Sequence, residues 1–241
     1  MLESINLTVS YDGREAALND VSFTIDQPGI IGIIGPNGAG KSTLMKALLN
    51  LLAYTGEVKI DGELRTKPQS DLAYVEQRSQ IDLNFPITVK ECVALGTFAR
   101  LGLMRPLGHK MDKEVAYYLK QVGLENYAER PIKSLSGGQF QRMLLARCLI
   151  QQTNYLFLDE PFVGIDSLSE TIIMDCLRQL KSEGKTIVIV HHDLSKVEAY
   201  FDQLIVLNKR LIAQGTVADV FTRDVLNKAY GNDLIVQKRG R

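Results

Sequence analysis

The sequence predicts an α/β fold, a mostly parallel sheet covered by helices and interrupted by a helical insert. Three observations predict it. Segments of strand character alternate with segments of helical period along most of the chain, as in a parallel sheet with crossover helices. A wholly apolar run, Ile30 to Ile34, leads through a glycine-rich loop directly into an amphipathic helix. The stretch from about 78 to 152 carries helical patterns and no convincing strand.

The elements follow in order. Ile5, Leu7 and Val9 alternate with polar residues, as a half-buried strand does. Ala17 to Ile25 and Gly56 to Ile60 read as further strands, with Asp61-Gly62 as turn punctuation. Ile30 to Ile34 suits a central strand buried on both faces. Ser42 to Leu52 is apolar at 44, 45, 47, 48, 51 and 52, one face of a helix. Leu72 to Val75 reads as a strand. Thr88-Val89-Lys90-Glu91 matches a capping box, and the helix it opens is expected to reach about Phe98. Lys110 to Val122 and Gly138 to Ile150 are helical. Strand character returns at Tyr155 to Leu158, Thr186 to Val190 and Gln203 to Leu207, with helices near 167–183 and 194–200. The expected organisation is a single domain over 1–241. Its core is 1–77 and 153–241, and its helical insert is 78–152.

Composition narrows the function. Lys plus Arg and Asp plus Glu number 28 each, so no net field draws this chain to nucleic acid or an anionic membrane. Lys238, Arg239 and Arg241 make a small basic tail, read as a solvated terminus or a membrane-surface contact. Cys92, Cys148 and Cys176 show no metal-ligand spacing and suggest buried thiols in a reducing compartment. The opening Met1 to Asn6 lacks a basic head and apolar run, so no secretory leader is expected. No apolar stretch approaches the roughly 18 residues of a membrane span.

The loop Gly35-Pro36-Asn37-Gly38-Ala39-Gly40-Lys41-Ser42-Thr43 fits the phosphate-binding pattern and has its required context, a strand before and a helix after. Glycines let backbone N–H groups wrap a phosphate, and the helix directs its positive end at the anion. Lys41 would reach the β- and γ-phosphates, and the Ser42 hydroxyl would bind Mg²⁺. By chance the four fixed positions occur in about one chain in a hundred of this size. Downstream, Tyr155-Leu156-Phe157-Leu158-Asp159-Glu160-Pro161 is an apolar strand ending in two carboxylates. Asp159 suits an Mg²⁺ ligand and Glu160 a general base for water. Two acids at a strand end also suit a turn or a helix cap. Leu135-Ser136-Gly137-Gly138-Gln139 opens a helix with a capping box, and such a start is a second anion site.

These motifs, in this order, resemble the nucleotide-binding subunit of ABC transporters over essentially the whole chain, and Leu135 to Gln139 matches the family signature letter for letter. The resemblance implies a P-loop NTPase core with a mostly parallel sheet, an N-terminal antiparallel β subdomain and an α-helical subdomain insert. It implies ATP hydrolysis with ATP and Mg²⁺ as cofactors, in a head-to-tail homodimer. Each ATP would lie between one subunit's phosphate loop and the other's Ser136, Gly137, Gly138 and Gln139. It assigns Gln77 to sensing Mg²⁺ and the attacking water, Asp166 to the loop linking the subunits, His192 to the γ-phosphate and Tyr11 to stacking on adenine. Between the adjacent His191 and His192, the following Asp193 selects the second. Phe162-Val163-Gly164-Ile165 departs from the commoner run before Asp166, and Glu76 stands where many relatives carry proline. Neither change removes a catalytic group.

Tyr74 to Val89 and Phe162 to Asp166 resemble the branch serving manganese and zinc importers, with manganese favoured. The expected partners are an integral membrane permease, a second copy of the chain and, indirectly, an extracellular metal-binding lipoprotein. The expected location is the cytoplasmic face of the membrane. Alternatives are a soluble ABC ATPase without a permease, as in iron–sulfur assembly, and an importer subunit for another small solute. A nucleic-acid-associated ABC protein and a binding-only regulatory module are weaker rivals. The single cassette with zero net charge opposes the former, and intact Lys41, Asp159, Glu160 and His192 oppose the latter.

Overall fold

The computed structural model describes every residue except 12, 14, 68–70, 78–84, 102–108 and 232–241. The basic tail, and residues 78–84 of the segment that carries the metal-importer resemblance, lie outside the described residues. The chain divides into two compact bodies. One comprises Met1–Gln27, Ile31–Pro68 and Val190–Arg241, and the other Pro28–Ile30 and Gln69–Ile189.

The first body holds an antiparallel sheet. Its strands are β1 (Leu2–Ser10), β2 (Ala16–Ile25), β4 (Thr55–Ile60) and β5 (Glu63–Leu64), in the order β2-β1-β4-β5. Asp61 and Gly62 join β4 to β5 with φ of 53° and 81°. This two-residue loop has both positive φ values of a type I′ hairpin turn, which explains the Asp-Gly pair. The expected alternation of β1 changes phase. Leu2 and Ser4 are buried, then Leu7 and Val9, because Asn6 takes φ 49° where the register with β2 shifts. That bulge leaves Ile5 half-buried on the other face.

The same body contains most of β3 (Gly29–Ile34), together with β9 (Gln203–Leu207) and β10 (Leu211–Thr216). β3 runs parallel to β9, and β10 returns antiparallel to it. Helix α1 (Lys41–Leu48) packs on β1 and β2. It stops at Leu48 rather than Leu52, and Leu51 is half-exposed.

The second body contains β6 (Leu72–Val75), β7 (Tyr155–Asp159) and all but the last residue of β8 (Thr186–Val190), in the order β8-β7-β6, with β6 parallel to β7. Every residue of β7 and β8 is buried, as expected for strands covered on both faces. Its helices are α2 (Val89–Leu95), α3 (Phe98–Leu101), α4 (His109–Gln121), α5 (Gly137–Leu149) and α6 (Ser167–Ser182). The capping box at Thr88 is present on both sides, its hydroxyl accepting from Glu91 N–H. The helix it opens breaks at Gly96. There α2 packs so closely on α5 that a Cβ would stand 2.1 Å from the Arg147 carbonyl oxygen. The first body ends with α7 (Val197–Tyr200), α8 (Val217–Val220) and α9 (Arg223–Tyr230). Among the described residues no helix is long and apolar enough to cross a membrane.

Candidate active site

The fully buried β3 delivers the chain to Gly35. A Cβ there would lie 2.1 Å from the Leu207 carbonyl oxygen, so only glycine fits. At Gly40, the N-cap of α1, φ is 89° and a Cβ would lie 2.5 Å from a Leu18 methyl. The loop is tied down between them, where Lys209 N–H donates to the Ala39 carbonyl (2.9 Å). Gly40 provides no side-chain cap. Such a helix start presents its first-turn N–H groups to an external acceptor.

Lys41 is only 8% exposed, and its ammonium donates to the carbonyls of Gly35 (2.9 Å) and Pro36 (3.0 Å). A buried cation needs such partners, and here the loop itself supplies them. Tyr11 is 70% exposed, and its hydroxyl shares a hydrogen bond with Thr43 Oγ1 (3.1 Å), which sets the ring beside the first turn of α1.

The acidic pair gains its geometry from strand register. Val75 of β6 pairs with Leu158 of β7 in parallel, so Gln77 and Glu160 leave their strands at the same level. Gln77 Nε2 donates to Glu160 Oε2 (2.9 Å). Asp159 is 1% exposed at the strand end. Glu160 takes φ 52°, a left-handed conformation that costs a side-chain-bearing residue about 1–2 kcal/mol. The left-handed backbone and the bond from Gln77 thus fall on the same carboxylate.

Ser136 and Gln139 form the expected capping box. Ser136 N–H donates to Gln139 Oε1 (3.0 Å), and Gln139 N–H donates to Ser136 Oγ (3.3 Å). Asp166 caps α6, its Oδ1 accepting Ser169 N–H (2.8 Å) and its Oδ2 accepting the Ser169 hydroxyl (2.9 Å). These two bonds hold the Asp166 carboxyl below the usual carboxylate range, the backbone bond contributing most. A Cβ on Gly138 would lie 2.2 Å from Ser169 Oγ and 2.5 Å from Asp166 Oδ2, so the signature turn and the Asp166 cap are in direct contact. Ser169 escaped the sequence reading. The spacing Asp-x-x-Ser, an N-cap acceptor and its N3 partner, was the available signal.

The two histidines differ. His191 is 3% exposed, donates its N–H to the Ile33 carbonyl (3.0 Å), and packs edge-on to Phe201 with ring centres 5.5 Å apart. His192 is exposed, with its ring 5.9 Å from that of His191. Asp193 caps the following turn by accepting Ser195 Oγ–H (2.7 Å) and N–H (2.9 Å), which lowers its pKa. The phosphate loop, Tyr11 and His192 belong to the first body. Gln77, Asp159, Glu160, Ser136 to Gln139 and Asp166 belong to the second.

The donor chemistry suits magnesium. In the first body Ser42 offers a hydroxyl oxygen; in the second Asp159 offers a carboxylate and Gln77, whose Nε2 is given to Glu160, its Oε1. A helix start without a side-chain cap and a lysine already turned into the loop suit a phosphate.

Comparison with known proteins agrees with this chemistry. The ABC transporter family model matches residues 18–163. The manganese transport system ATP-binding protein MntB of Halalkalibacterium halodurans is 49% identical, over 95% of this chain and 91% of its own length. The zinc transport system ATP-binding protein TroB of Treponema pallidum is 43% identical, over 94% of this chain and 85% of its own. Among solved structures, a dimeric ATP-binding cassette in a post-hydrolysis state with ADP and phosphate superposes with a TM-score of 0.79 at 29% identity, covering 90% of this chain and 99% of that one. With its α/β fold, phosphate loop, acidic strand end and signature turn in place, the chain belongs to the ABC transporter family, as an ATP-hydrolysing cassette.

Proposed function

We propose that this chain powers import of a divalent transition-metal ion, manganese ahead of zinc, through a separate membrane permease that holds it at the cytoplasmic face. The observation that carries the metal assignment is the 49% identity, across nearly the whole chain, to a manganese transport system ATP-binding protein. The zinc-system relative at 43% keeps zinc as the second reading. An extracellular metal-binding lipoprotein would deliver the ion.

The hydrolytic roles follow from the local geometry. Lys41 exchanges the carbonyls of Gly35 and Pro36 for the β- and γ-phosphates, while backbone N–H groups between Asn37 and Thr43 wrap them. Ser42, Asp159 and the Gln77 oxygen would hold Mg²⁺. When bound, that ion neutralises charge developing on the phosphoryl oxygens. Glu160, oriented by Gln77, accepts the proton of the attacking water. His192 contacts the γ-phosphate and Tyr11 stacks on the adenine. A second copy supplies Ser136, Gly137, Gly138 and Gln139 to the same nucleotide, and Asp166 links the two copies.

The insert 78–152 is the arm that meets the permease. A largely apolar groove of about 720 Å³, walled by Phe85, Ile87, Leu95, Phe98, Val115 and Leu119, supports this reading. Phe85, one of its walls, is 60% exposed.

The test is metal content. Cells lacking the chain, grown with limiting manganese or zinc, should lose manganese, and the wild-type chain should restore it. Glu160→Gln should still bind ATP but leave the cells depleted, since removal of a general base slows turnover by roughly 10²–10⁴-fold. Normal content of both metals in the deleted cells would overturn the metal assignment. Full rescue by Glu160→Gln would overturn the role of Glu160.

A further inference from the structure

We propose that Lys209 is a positioning residue of the phosphate loop: its backbone N–H fixes the Ala39–Gly40 peptide so that the Gly40 N–H faces the bound phosphate. The proposal rests on the loop being the ATP site, and every residue it uses lies in the first body.

Lys209 is the middle residue of the three-residue tip that joins β9 to β10. Its φ is 56°, a left-handed conformation unfavourable to a residue with a side chain. Such backbone persists where its surroundings over-determine it, and here all three polar groups of the residue are engaged. Its N–H donates to the Ala39 carbonyl (2.9 Å), and its carbonyl accepts the Asn19 N–H (2.7 Å). Its ammonium pairs with the Glu15 carboxylate (2.5 Å). Across the tip, Asn208 N–H donates to the Arg210 carbonyl (3.0 Å). Asn19 belongs to β2, so a strand holds Lys209 in place and Lys209 in turn holds the loop.

The Ala39 carbonyl and the Gly40 N–H belong to one planar trans peptide and point in opposite directions. A carbonyl drawn toward Lys209 therefore sends the Gly40 N–H to the other side of the loop. Gly40 has φ 89°, and glycine takes positive and negative φ about equally readily, so Gly40 by itself does not stop this peptide from turning over. The bond from Lys209 does. Turned over, the peptide would aim its carbonyl oxygen where an anion is to sit. The adjacent Ala39 N–H is already committed to the Pro36 carbonyl (3.1 Å), whereas nothing among the described residues accepts the Gly40 N–H. Gly40 is also the N-cap of α1, where N–H groups without intrahelical acceptors favour an anion.

The experiment replaces the Lys209 N–H by an ester oxygen in the full chain, which keeps the side chain and deletes one donor. Binding of inorganic triphosphate, which has no base to stack, and of ATP is measured by calorimetry well below the unfolding temperature. Both affinities should fall roughly two- to tenfold, the worth of one hydrogen bond. KM for ATP should rise by more than kcat falls. Glu15→Gln opens the ion pair but spares the amide, and should leave triphosphate affinity unchanged. If the ester form binds triphosphate as the wild type does, the bond only supports the fold and the proposal is overturned. If Glu15→Gln weakens binding as much as the ester does, the side chain and not the N–H positions the loop, which also overturns it. The unmodified chain gives a second measurement by hydrogen exchange. The Gly40 amide should become protected when triphosphate binds, and the Lys209 amide should be protected throughout. A Gly40 amide that exchanges equally fast with and without triphosphate refutes the assignment. Lys41→Ala separates the underlying reading: it should abolish triphosphate binding, and if binding survives, the loop is not the phosphate site whatever Lys209 does.

Discussion

Gly138→Ala probes the contact between the signature turn and the Asp166 cap. The added methyl would meet Ser169 Oγ at 2.2 Å, Asp166 Oδ2 at 2.5 Å and Ser169 Cβ at 2.7 Å. Rotating the hydroxyl cannot clear it, because the Ser169 Cβ is also too near and Ser169 is 1% exposed. Helix α6 must shift or its cap must open. Losing the cap costs about 1 kcal/mol and overpacking costs about 1–3 kcal/mol. Alanine's helix preference over glycine returns up to about 1 kcal/mol. The net loss is about 1–3 kcal/mol, or roughly 2–10 °C in unfolding temperature for a chain of this size. The assay is thermal unfolding of the purified chain without nucleotide, which isolates packing from any contact with ATP. Ser169→Gly removes two of the three clashing atoms. The double variant should therefore be more stable than the sum of the single changes, with a coupling near 1 kcal/mol. If Gly138→Ala unfolds with the wild type, or the two changes simply add, the packing argument fails and glycine is required only for the nucleotide.

Two further predictions concern single groups. Glu160→Gly and Glu160→Ala delete the same carboxylate, but only glycine relaxes φ 52°. The glycine variant should be more stable by about 1 kcal/mol, roughly 2–4 °C. Equal unfolding temperatures would show that the left-handed backbone carries no strain. Asp166 has a lowered pKa, so its contribution to stability is complete above the ordinary carboxylate value near 3.9 and is lost as pH falls through the lower folded value. Ser169→Ala removes the hydroxyl bond and keeps the stronger backbone bond. The Asp166 carboxyl, followed by carbon-detected NMR, should then titrate higher than in the wild type but still below the ordinary range. The two proteins' stabilities should converge as the pH drops below that range, and superimposable titration curves would refute the assignment.

Much of the architecture was legible because its signals are local. The apolar run before Gly35, the capping boxes at Thr88 and Ser136, and the alternation of strand and helix all act within a few residues. Their readings agree with the structure to within a few positions. The misses occur where a distant contact overrides the pattern. Helix α2 stops at Gly96, where the Arg147 backbone passes against it, and β1 changes phase at Asn6, where its register with β2 shifts. Strands β5 and β10 and helices α8 and α9 were not foreseen. They are short and mostly half-buried or exposed, so their apolar pattern is weak.

The site divides in the same way. Sequence alone named the groups to which the chemistry is assigned: Lys41, Ser42, Asp159, Glu160, Ser136 and Gly138 stand in motifs of fixed spacing. It also determined the phosphate loop, because a strand, a loop with three glycines and a helix lie consecutively along the chain. Tertiary structure alone decided how those groups are held. Gln77 reaches Glu160 through the register of β6 and β7, and Gly138 meets Asp166 and Ser169 through helix packing. Each of these contacts joins residues that sequence spacing cannot bring together, and only the folded backbone sets such distances.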